Sequence, residues 1–397
     1  MSVFSGYKNA HLLPPGLASL YTSRSILLIA AGFVGLFLPV FLLLQYNSIE
    51  KVIIYYLISF ALYTLTVASG AIFMNYIGIR NSIIWSFPFL AAFYTCYYFF
   101  DVNLVIFTVL SLLFLNVYRM LYWVPYHTEF AELTDKKKRG KQIGLLDSFT
   151  SVLSIIIPFV SGLLIKTFGF NFVFVIVIIL IIIGIIPLLF VPKIKVKFSW
   201  SYKRCWQEYF KKDNRKMMIT YMADGAENWI GAVLWPIFIW QLLKGQYLSV
   251  GLITSLVTLV AVILKLVIGD YTDKFNKRKL MKVGSILSSL GWIIKIFITT
   301  SFHIFIASTY HNFALILLRT SFDALMYEKA ADSGHYVDEY TTLREMYIQT
   351  GRVIVMILIL ILINFISLNL VFFLAAISSL LVNLLPKQNL DETIGLR

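Results

Sequence analysis

The chain has 397 residues, of which 59% are hydrophobic and only 14% are charged, and its formal net charge is +14. Because a soluble globular protein has roughly 45–50% apolar and about 25% charged residues, this composition excludes a soluble fold and predicts a polytopic membrane protein. The positive charge lies in short loops between apolar runs, where it sets membrane orientation, and this excludes nucleic acid as its partner. The two cysteines, Cys96 and Cys205, lie far apart and predict neither a metal site nor a disulfide.

Twelve apolar runs approach the length of about 20 residues that a transmembrane helix requires. Six of them precede a basic stretch at residues 193–215 and six follow it. They lie near residues 25–45, 51–77, 81–100, 102–124, 142–167, 170–192, 216–243, 247–269, 281–300, 302–327, 343–364 and 366–385. We therefore predict an all-α protein with twelve transmembrane helices, in six-helix bundles at residues 1–192 and 216–397 that a basic linker at 193–215 joins.

Lysine and arginine concentrate in the connections after spans 4, 6 and 8, whereas the odd-numbered connections carry little more than Lys51, Lys166 and Lys244. Positively charged loops remain in the cytoplasm. The sequence thus predicts that both termini are cytoplasmic and that the protein resides in a plasma membrane, such as the inner membrane of a bacterium.

Ionisable residues inside the spans are candidates for function, since each costs about 2.5–3.5 kcal/mol by insertion scales unless it faces a partner or a wet cavity. In the first half, span 4 carries Arg119 and span 5 carries Asp147. Both are candidate cavity residues. An alternative is that Arg119 only ties span 4 to an acid such as Asp147.

The linker at 193–215 mixes aromatic residues with its lysines. This pattern fits an amphipathic segment on the anionic inner leaflet. It fits equally a solvated basic linker that the aromatic residues anchor. Neither interpretation gives the linker a catalytic role.

One face of span 7 has the most distinctive polar pattern of the chain. Spacings of three and four residues place five side chains on this face: Asp224, Glu227, Asn228, Gly231 and Trp235. Asp224 follows about eight residues of the span and so lies ~12 Å deep. Carboxylates one turn apart repel each other in a low dielectric, which favours protonation of one of them. The pair therefore predicts a site for proton coupling or for substrate, unless each acid is tied to a base on a neighbouring helix, such as Arg319 or Lys265.

On span 10, Arg319 and Asp323 are one turn apart and can also pair with each other.

The connection between spans 8 and 9 has a recognisable order of residues. A glycine at the end of span 8 is followed by an acid and then by a basic cluster: Gly269, Asp273, Lys274, Lys277, Arg278 and Lys279. This order resembles the signature loop of the major facilitator superfamily, which reads Gly, three residues, Asp, a basic residue, any residue, Gly and two basic residues. Asn276 stands at the second glycine, and we expect it there because Asn tolerates left-handed backbone angles.

Two further segments support the resemblance. Pro158, Ser161 and Gly162 followed by Phe168-Gly169-Phe170 are similar to the exit of span 5 into span 6 in that family. The end of span 2 resembles a reduced copy of the signature loop that keeps Asn75, Gly78 and Arg80. We expect Asp273 to carry the gating function of such loops and Asn75 to matter much less.

The resemblance implies a secondary transporter that moves a small solute by alternating access between two bundles. It also implies that span 7 borders the central cavity and that a span-4 arginine can take part in coupling. Asp273 and the basic cluster would hold the cytoplasmic ends of the spans together. We expect a monomer in the lipid bilayer, without catalytic residues, cofactor or metal, and with protons as the coupling ion.

Several alternatives remain from the sequence. One is an uncoupled facilitator, and another is an efflux pump for amphipathic compounds or lysolipids. A third is a membrane sensor that no longer transports. A Mg²⁺-dependent prenyltransferase using Asp270 and Asp273 is disfavoured, because the lysines that follow would repel the metal.

Overall fold

The computed structural model describes residues 14–133, 139–194, 197–272, 276–332 and 337–385, and these are almost entirely helical. The helices of the first half are α1 (Pro15–Gly35), α2 (Leu38–Tyr46), α3 (Ile49–Ile77), α4 (Ile79–Tyr98), α5 (Leu104–Leu133) and α6 (Arg139–Leu188). The linker contains α7 (Tyr202–Tyr209). The second half comprises α8 (Arg215–Trp229), α9 (Trp235–Leu242), α10 (Tyr247–Thr272), α11 (Lys277–Ile296), α12 (Ser301–Asp332), α13 (Val337–Leu362) and α14 (Phe372–Leu381).

Each predicted span coincides with a helix or with a helix that is locally interrupted. Span 1 is divided between α1 and α2, and Pro39 lies in the first turn of α2. Span 7 is divided between α8 and α9 by a π-helical turn at Ile230–Leu234, just before Pro236. Proline lacks the N–H that a continuing α-helix needs, so a local change of winding is expected there. Spans 5 and 6 form α6, which is interrupted at Gly169 by a φ of 80°.

Among the described residues, seven helices are both long and apolar enough to cross a membrane. The apolar part of α6 has 39 residues, or about 58 Å of helix, which is roughly twice the bilayer core. It therefore has the length of the two spans predicted there. Spans 3, 7, 9 and 12 correspond to shorter or more polar helices, so the number of twelve crossings stays a prediction.

The helices pack as two groups that meet mainly at two helix pairs, with smaller contacts of α5 with α13 and of α2 with α9. In the first half α1 and α4 pack against α6, and α5 packs against α3 and α4. In the second half α11 packs against α12 and α14, while α8 packs against α13 and α14. The halves meet where α3 packs against α13 and where α6 packs against α10. We call the side of the molecule that carries the linker the linker side, and the opposite side the far side.

The linker packs on the protein. Phe198, Trp200 and Tyr209 are buried, whereas Tyr202 and Phe210 are exposed. Buried aromatic side chains thus anchor the linker to the protein, which agrees with the interpretation of a basic linker that its aromatic residues anchor. That the linker lies on the inner leaflet stays a prediction. Only its exposed side chains, such as Tyr202 and Phe210, would be able to contact lipid.

Hydrogen bonds attach the linker to both halves. The side-chain amide of Asn75, on α3, donates to the Phe198 carbonyl at 2.9 Å and accepts from the Phe198 N–H at 2.8 Å. On α13, Oε1 of Glu339 accepts from the N–H and the hydroxyl of Ser199 at 2.8 and 2.5 Å. Asn75 thus has a structural partner that the sequence interpretation did not give it.

Candidate functional site

Helices α8 and α13 approach each other closely enough for backbone contact. A Cβ at Gly225 would lie 2.1 Å from the carbonyl oxygen of Ile348, and one at Gly351 would lie 1.9 Å from that of Met222. Only glycine fits at either position without a shift of the backbone. This contact fixes the depth and rotation of α8 and hence the directions in which Asp224 and Glu227 point.

Asp224 is ion-paired. The guanidinium of Arg319, on α12, donates through Nη1 to Oδ1 of Asp224, and Nδ2 of Asn228 donates to the same oxygen at 3.0 Å. Asp323, one turn from Arg319, contributes to the negative field around that arginine. Arg319 thus bridges α12 and α8, which corresponds to the paired alternative for Asp224.

Glu227 has a different environment. Its Oε1 accepts three hydrogen bonds: from Ser288 Oγ at 2.9 Å, from Trp292 Nε1 at 3.0 Å and from Ser379 Oγ at 2.6 Å. Its Oε2 is buried and has no hydrogen-bond partner among the described residues. Donors on α11 and α14 therefore hold one oxygen of this carboxylate, and none of them reaches the other oxygen.

A chain of polar contacts links Glu227 to a buried lysine. Ser288 Oγ lies 3.1 Å from Nε2 of His311, and Nδ1 of the same imidazole lies 2.9 Å from Nζ of Lys295. An ammonium can only donate, so Lys295 as a cation requires His311 to accept at Nδ1 and to carry its proton on Nε2. The hydrogen bonds then run in one direction, from Lys295 through His311 and Ser288 to Glu227.

Two indole rings surround the lysine. Nζ of Lys295 lies 4.0 Å from the ring centroid of Trp292 and 4.4 Å from that of Trp235, within the range of cation–π attraction. Lys295 and His311 are each only 3% exposed. This side of the second half therefore holds a lysine, an imidazole and a carboxyl group that are almost completely removed from solvent.

These groups border a cavity of about 380 Å³ in the second half. Its lining includes Glu227, Asn228, Gly231, Trp235 and Arg319 from the predicted set, together with Lys295 and His311. The structure thus brings most of the span-7 face to one cavity and pairs Asp224 with a residue of its lining. The volume lies within the range of small-molecule sites.

Sequence reasoning missed several members of this cluster. His311 is an ionisable residue in the middle of span 10, a signal that was available. Ser288 and Trp292 lie four residues apart on span 9, in register with the in-span base Lys295, and this spacing was available as well. Ser379 carries no signal in sequence, because a buried serine in a transmembrane helix is common packing.

The predicted residues of the first half lie apart from this cluster. Arg119 donates through Nη1 to Ser59 Oγ at 2.9 Å, and its guanidinium lies 4.6 Å from the ring centroid of Phe60. The side chain of Asp147 is outside the described residues, so its proposed pairing with Arg119 stays a prediction.

Two of the predicted gate residues, Arg80 and Arg278, form hydrogen bonds within their own halves. Gly78 separates α3 from α4 with a φ of 81°, and Arg80 donates to the carbonyls of Leu188 and Leu189 at 3.2 and 2.7 Å. Arg278 donates to the Leu385 carbonyl at 3.1 Å. Gly269 lies in α10, and Lys277 and Lys279 lie in the first turn of α11. Asp273 and Lys274 lie outside the described residues.

The expectation for Asn276 is wrong. Its φ and ψ are −62° and 115°, an extended conformation, and not a left-handed one. Its Oδ1 accepts hydrogen bonds from the N–H groups of Arg278 and Lys279, at 3.0 and 3.2 Å. Asn276 therefore caps the N-terminus of α11, a position at which Asn is among the preferred residues.

The sequence is similar to a known protein family over most of its length. The family model described as "Major Facilitator Superfamily" matches residues 12–214 and 217–388. Among curated proteins, none matches the sequence significantly.

Three solved structures have a similar fold. A peptide transporter POT in complex with sulfate has a TM-score of 0.70 at 11% identity and covers 94% of this chain and 93% of its own. A POT family transporter in complex with 5-aminolevulinic acid has a TM-score of 0.70 at 11% identity, covering 94% and 95%. The transporter FucP in the outward conformation has a TM-score of 0.65 at 11% identity, covering 92% and 96%. At such identities the likeness is one of fold alone.

Proposed function

This chain belongs to the Major Facilitator Superfamily, and from that premise we propose that it is a secondary transporter that moves a small solute by alternating access and is driven by protons. Two transporters of similar fold hold sulfate and 5-aminolevulinic acid, which supports a small-molecule substrate. The main support for coupling is Glu227, a buried carboxylate with one oxygen bound by three donors and the other without a partner in the part of the chain that the structure describes.

Glu227 suits the coupling role better than Asp224. Asp224 is neutralised by Arg319, so protonating it would leave a buried guanidinium uncompensated. Protonation of Glu227 at Oε2 would keep the three donors on Oε1 in place and would change the charge that Lys295 faces through His311. A cavity-lining group that changes charge in this way alters the relative energies of two conformations, as coupling requires.

We also propose a plasma-membrane location with both termini cytoplasmic, with six-helix bundles at 1–192 and 216–397. The linker side would then be the cytoplasmic side. Single cysteines at Lys212, in the linker, and at Lys244, between α9 and α10, test this in sealed vesicles. They should react with a membrane-impermeant maleimide from opposite sides, and reaction from the same side would contradict the topology.

The test of function begins with a substrate. A thermal-shift screen of the purified protein against sugars, amino acids, nucleosides, drugs and lysolipids identifies a ligand, whose uptake is then followed in proteoliposomes. With an imposed pH gradient, we expect wild-type protein to accumulate the ligand. Glu227→Gln should abolish accumulation and keep exchange of internal for external ligand, because binding and rocking do not need the proton.

Glu50→Gln is the matched control. It removes an exposed carboxylate in the first turn of α3, on the far side of the molecule, and this variant should accumulate the ligand normally. Gradient-driven accumulation by Glu227→Gln at the wild-type level would contradict the coupling assignment. Equilibration of the ligand by wild-type protein without accumulation would indicate an uncoupled facilitator.

A further inference from the structure

Two arginines from opposite halves of the molecule share one aromatic ring. The guanidinium carbon of Arg119, on α5, lies 4.6 Å from the ring centroid of Phe60, and that of Arg352, on α13, lies 4.8 Å from the same centroid. Phe60 is on α3 and is 5% exposed. Both guanidinium groups therefore lie within 5 Å of the centroid of one buried ring at the junction of the halves.

Within the described part of the chain, neither arginine has a carboxylate partner. Arg119 donates to the hydroxyl of Ser59 at 2.9 Å. Arg352 donates to the amide oxygen of Gln349 at 2.9 Å, and its Nε is buried without a hydrogen-bond partner.

The acids of the adjoining helices are already engaged. Glu345 accepts from Gln349 at 3.0 Å and pairs with Arg344 at 3.5 Å, and Asp224 pairs with Arg319. Glu345 and Asp224 still act on Arg352 at longer range, and Gln349 links Arg352 to Glu345. Among the described residues, however, neither acid forms an ion pair with Arg119 or Arg352, so the positive charge of the two guanidinium groups is only partly compensated.

Two guanidinium groups held this close together cost free energy unless an anion binds between them. Like charges repel more strongly in a low dielectric than in water, and each guanidinium has lost hydration. The face of Phe60 compensates only in part. Guanidinium groups present planar sets of donors that match a carboxylate or a phosphate in a bidentate manner, so an oxyanion is the ligand that this pair lacks.

An aromatic cavity adjoins the pair. It has a volume of about 300 Å³, and its lining includes Arg119, Arg24, Tyr56, Tyr118 and Trp123 but, among the described residues, no Asp or Glu. The guanidinium of Arg24 lies 5.2 Å from the Trp123 ring centroid. Tyr56 stacks on Phe60 with centroids 6.1 Å apart. The cavity is thus largely apolar, with two arginines in its lining. Arg352 and Phe60 are not among its described lining residues; Arg119 and Tyr56 connect the cavity to the shared ring.

We propose that Arg119 and Arg352 bind the carboxylate or phosphate group of an organic anion whose apolar body occupies this aromatic cavity. The inference rests on the proposed transport function and names its class of substrate. Because one arginine comes from each half, the anion would draw α5 and α13 together and so couple binding to the movement of the halves.

The test is direct binding to the purified full-length protein in detergent, without any ion gradient. Three apolar bodies (phenylbutyl, indolylpropyl and dodecyl) each carry a carboxylate, a phosphate, an alcohol or an amine. Isothermal titration calorimetry compares the four members of each series. We expect at least one series in which an anionic member binds and its alcohol and amine bind about tenfold more weakly or not at all. Preference for the dodecyl body would identify a lipid-like anion, and preference for the other bodies a free small anion.

Variants then locate the site. Arg119→Gln and Arg352→Gln should each weaken the anion by about tenfold or more, and Arg352→Lys by less than Arg352→Gln, because lysine keeps the charge without the planar donors. Arg204→Gln, which removes an exposed linker arginine, should bind as wild type does.

The proposal is overturned if no anionic member binds better than its matched alcohol and amine, a comparison that needs only wild-type protein. It is also overturned if folded Arg119→Gln and Arg352→Gln bind the anion normally. Failure of proton coupling leaves these binding results unchanged. Conversely, proton-driven uptake of a cation or a neutral solute would refute the anion site and leave the transport proposal intact.

Discussion

At the scale of single residues, two acids three positions apart on α8 have opposite electrostatic situations. Asp224 lies against the guanidinium of Arg319, whereas Glu227 has only neutral donors at Oε1. Spacing along a helix determines which face a side chain is on, and the neighbouring helix determines which partner it meets. The different partners of the two acids are therefore a property of the packing.

The buried ion pair makes a prediction about stability. Arg319→Gln alone should lower the free energy of unfolding by about 3–5 kcal/mol, since it leaves the Asp224 side chain, which is 5% exposed, uncompensated. Asp224→Asn should cost less, because the Arg319 side chain is 27% exposed and Asp323 still faces it, and the double variant should recover part of the loss. Thermal and denaturant unfolding in detergent measures the free energy of unfolding of the wild type, the two single variants and the double variant, which together form a double-mutant cycle. The pair Lys211–Glu208, which is 3.5 Å apart and partly exposed, is the control and should show a coupling of at most about 1 kcal/mol. Equal coupling energies in the two cycles would contradict this difference.

The polar face of span 7 could be predicted from sequence, whereas its partners could not. Periodicity of three and four residues placed Glu227, Asn228 and Trp235 on one side of a helix, and the structure has all three at one cavity. Ser288 and Ser379, which bind Glu227, are 61 and 152 residues away in sequence. Periodicity within one helix carries no information about the depth at which another helix packs against it.

At the scale of elements, the linker is the segment for which sequence pattern was least informative. Aromatic and basic residues alternate there as they would in a membrane-surface helix, yet Phe198, Trp200 and Tyr209 are buried by α3 and α13. The same composition serves both arrangements because an aromatic ring is stabilised equally by lipid and by protein. Only the hydrogen bonds of Asn75 and Glu339 distinguish them, and these depend on tertiary structure.

Cys205 reports whether the linker is attached. Its thiol is fully buried, and burial raises its pKa to about 12, so at pH 8 the attached thiol is both shielded and protonated. A released thiol returns to a pKa near 8.5, and its thiolate reacts with maleimides. Reactivity should therefore be low in the wild type and should rise when attachment weakens.

Asn75→Ala removes two hydrogen bonds between α3 and the linker, worth about 2 kcal/mol together. In a Cys96→Ser background, we expect labelling of Cys205 by N-ethylmaleimide to become roughly thirtyfold faster at pH 8. Asn103→Ala, which removes a helix cap on the far side, should leave the rate unchanged. An unchanged rate in Asn75→Ala would mean that these hydrogen bonds do not hold the linker.

At the scale of the whole molecule, the halves contact each other on the far side through aromatic residues. The ring of Tyr247, at the start of α10, lies 5.9 Å from that of Phe37 and 5.6 Å from that of Phe170. On the linker side, α3 and α13 pack together beneath the linker. Alternating access requires one of these two sets of contacts to separate while the other persists, so the far-side contact should be broken once in each cycle.

That requirement is testable by joining the halves. In a background where Cys96 and Cys205 are serine, a cysteine at Phe37 and another at Tyr247 can be joined by a short, reducible bifunctional thiol reagent. We expect joining to lower uptake of the ligand to the level of empty vesicles, because the far side can no longer open, and reduction of the reagent should restore it. Ligand binding in detergent should persist in the joined protein.

The control pair has similar geometry within one half. The rings of Phe99 and Phe107 lie 5.6 Å apart, and both belong to the first half, so joining cysteines at these positions should leave uptake intact. Continued turnover after joining Phe37 and Tyr247 would show that the far-side contact does not separate during transport. Movement of the halves about this contact would then be refuted, while the coupling role of Glu227 and the anion site at Arg119 and Arg352 would each remain open to their own measurements.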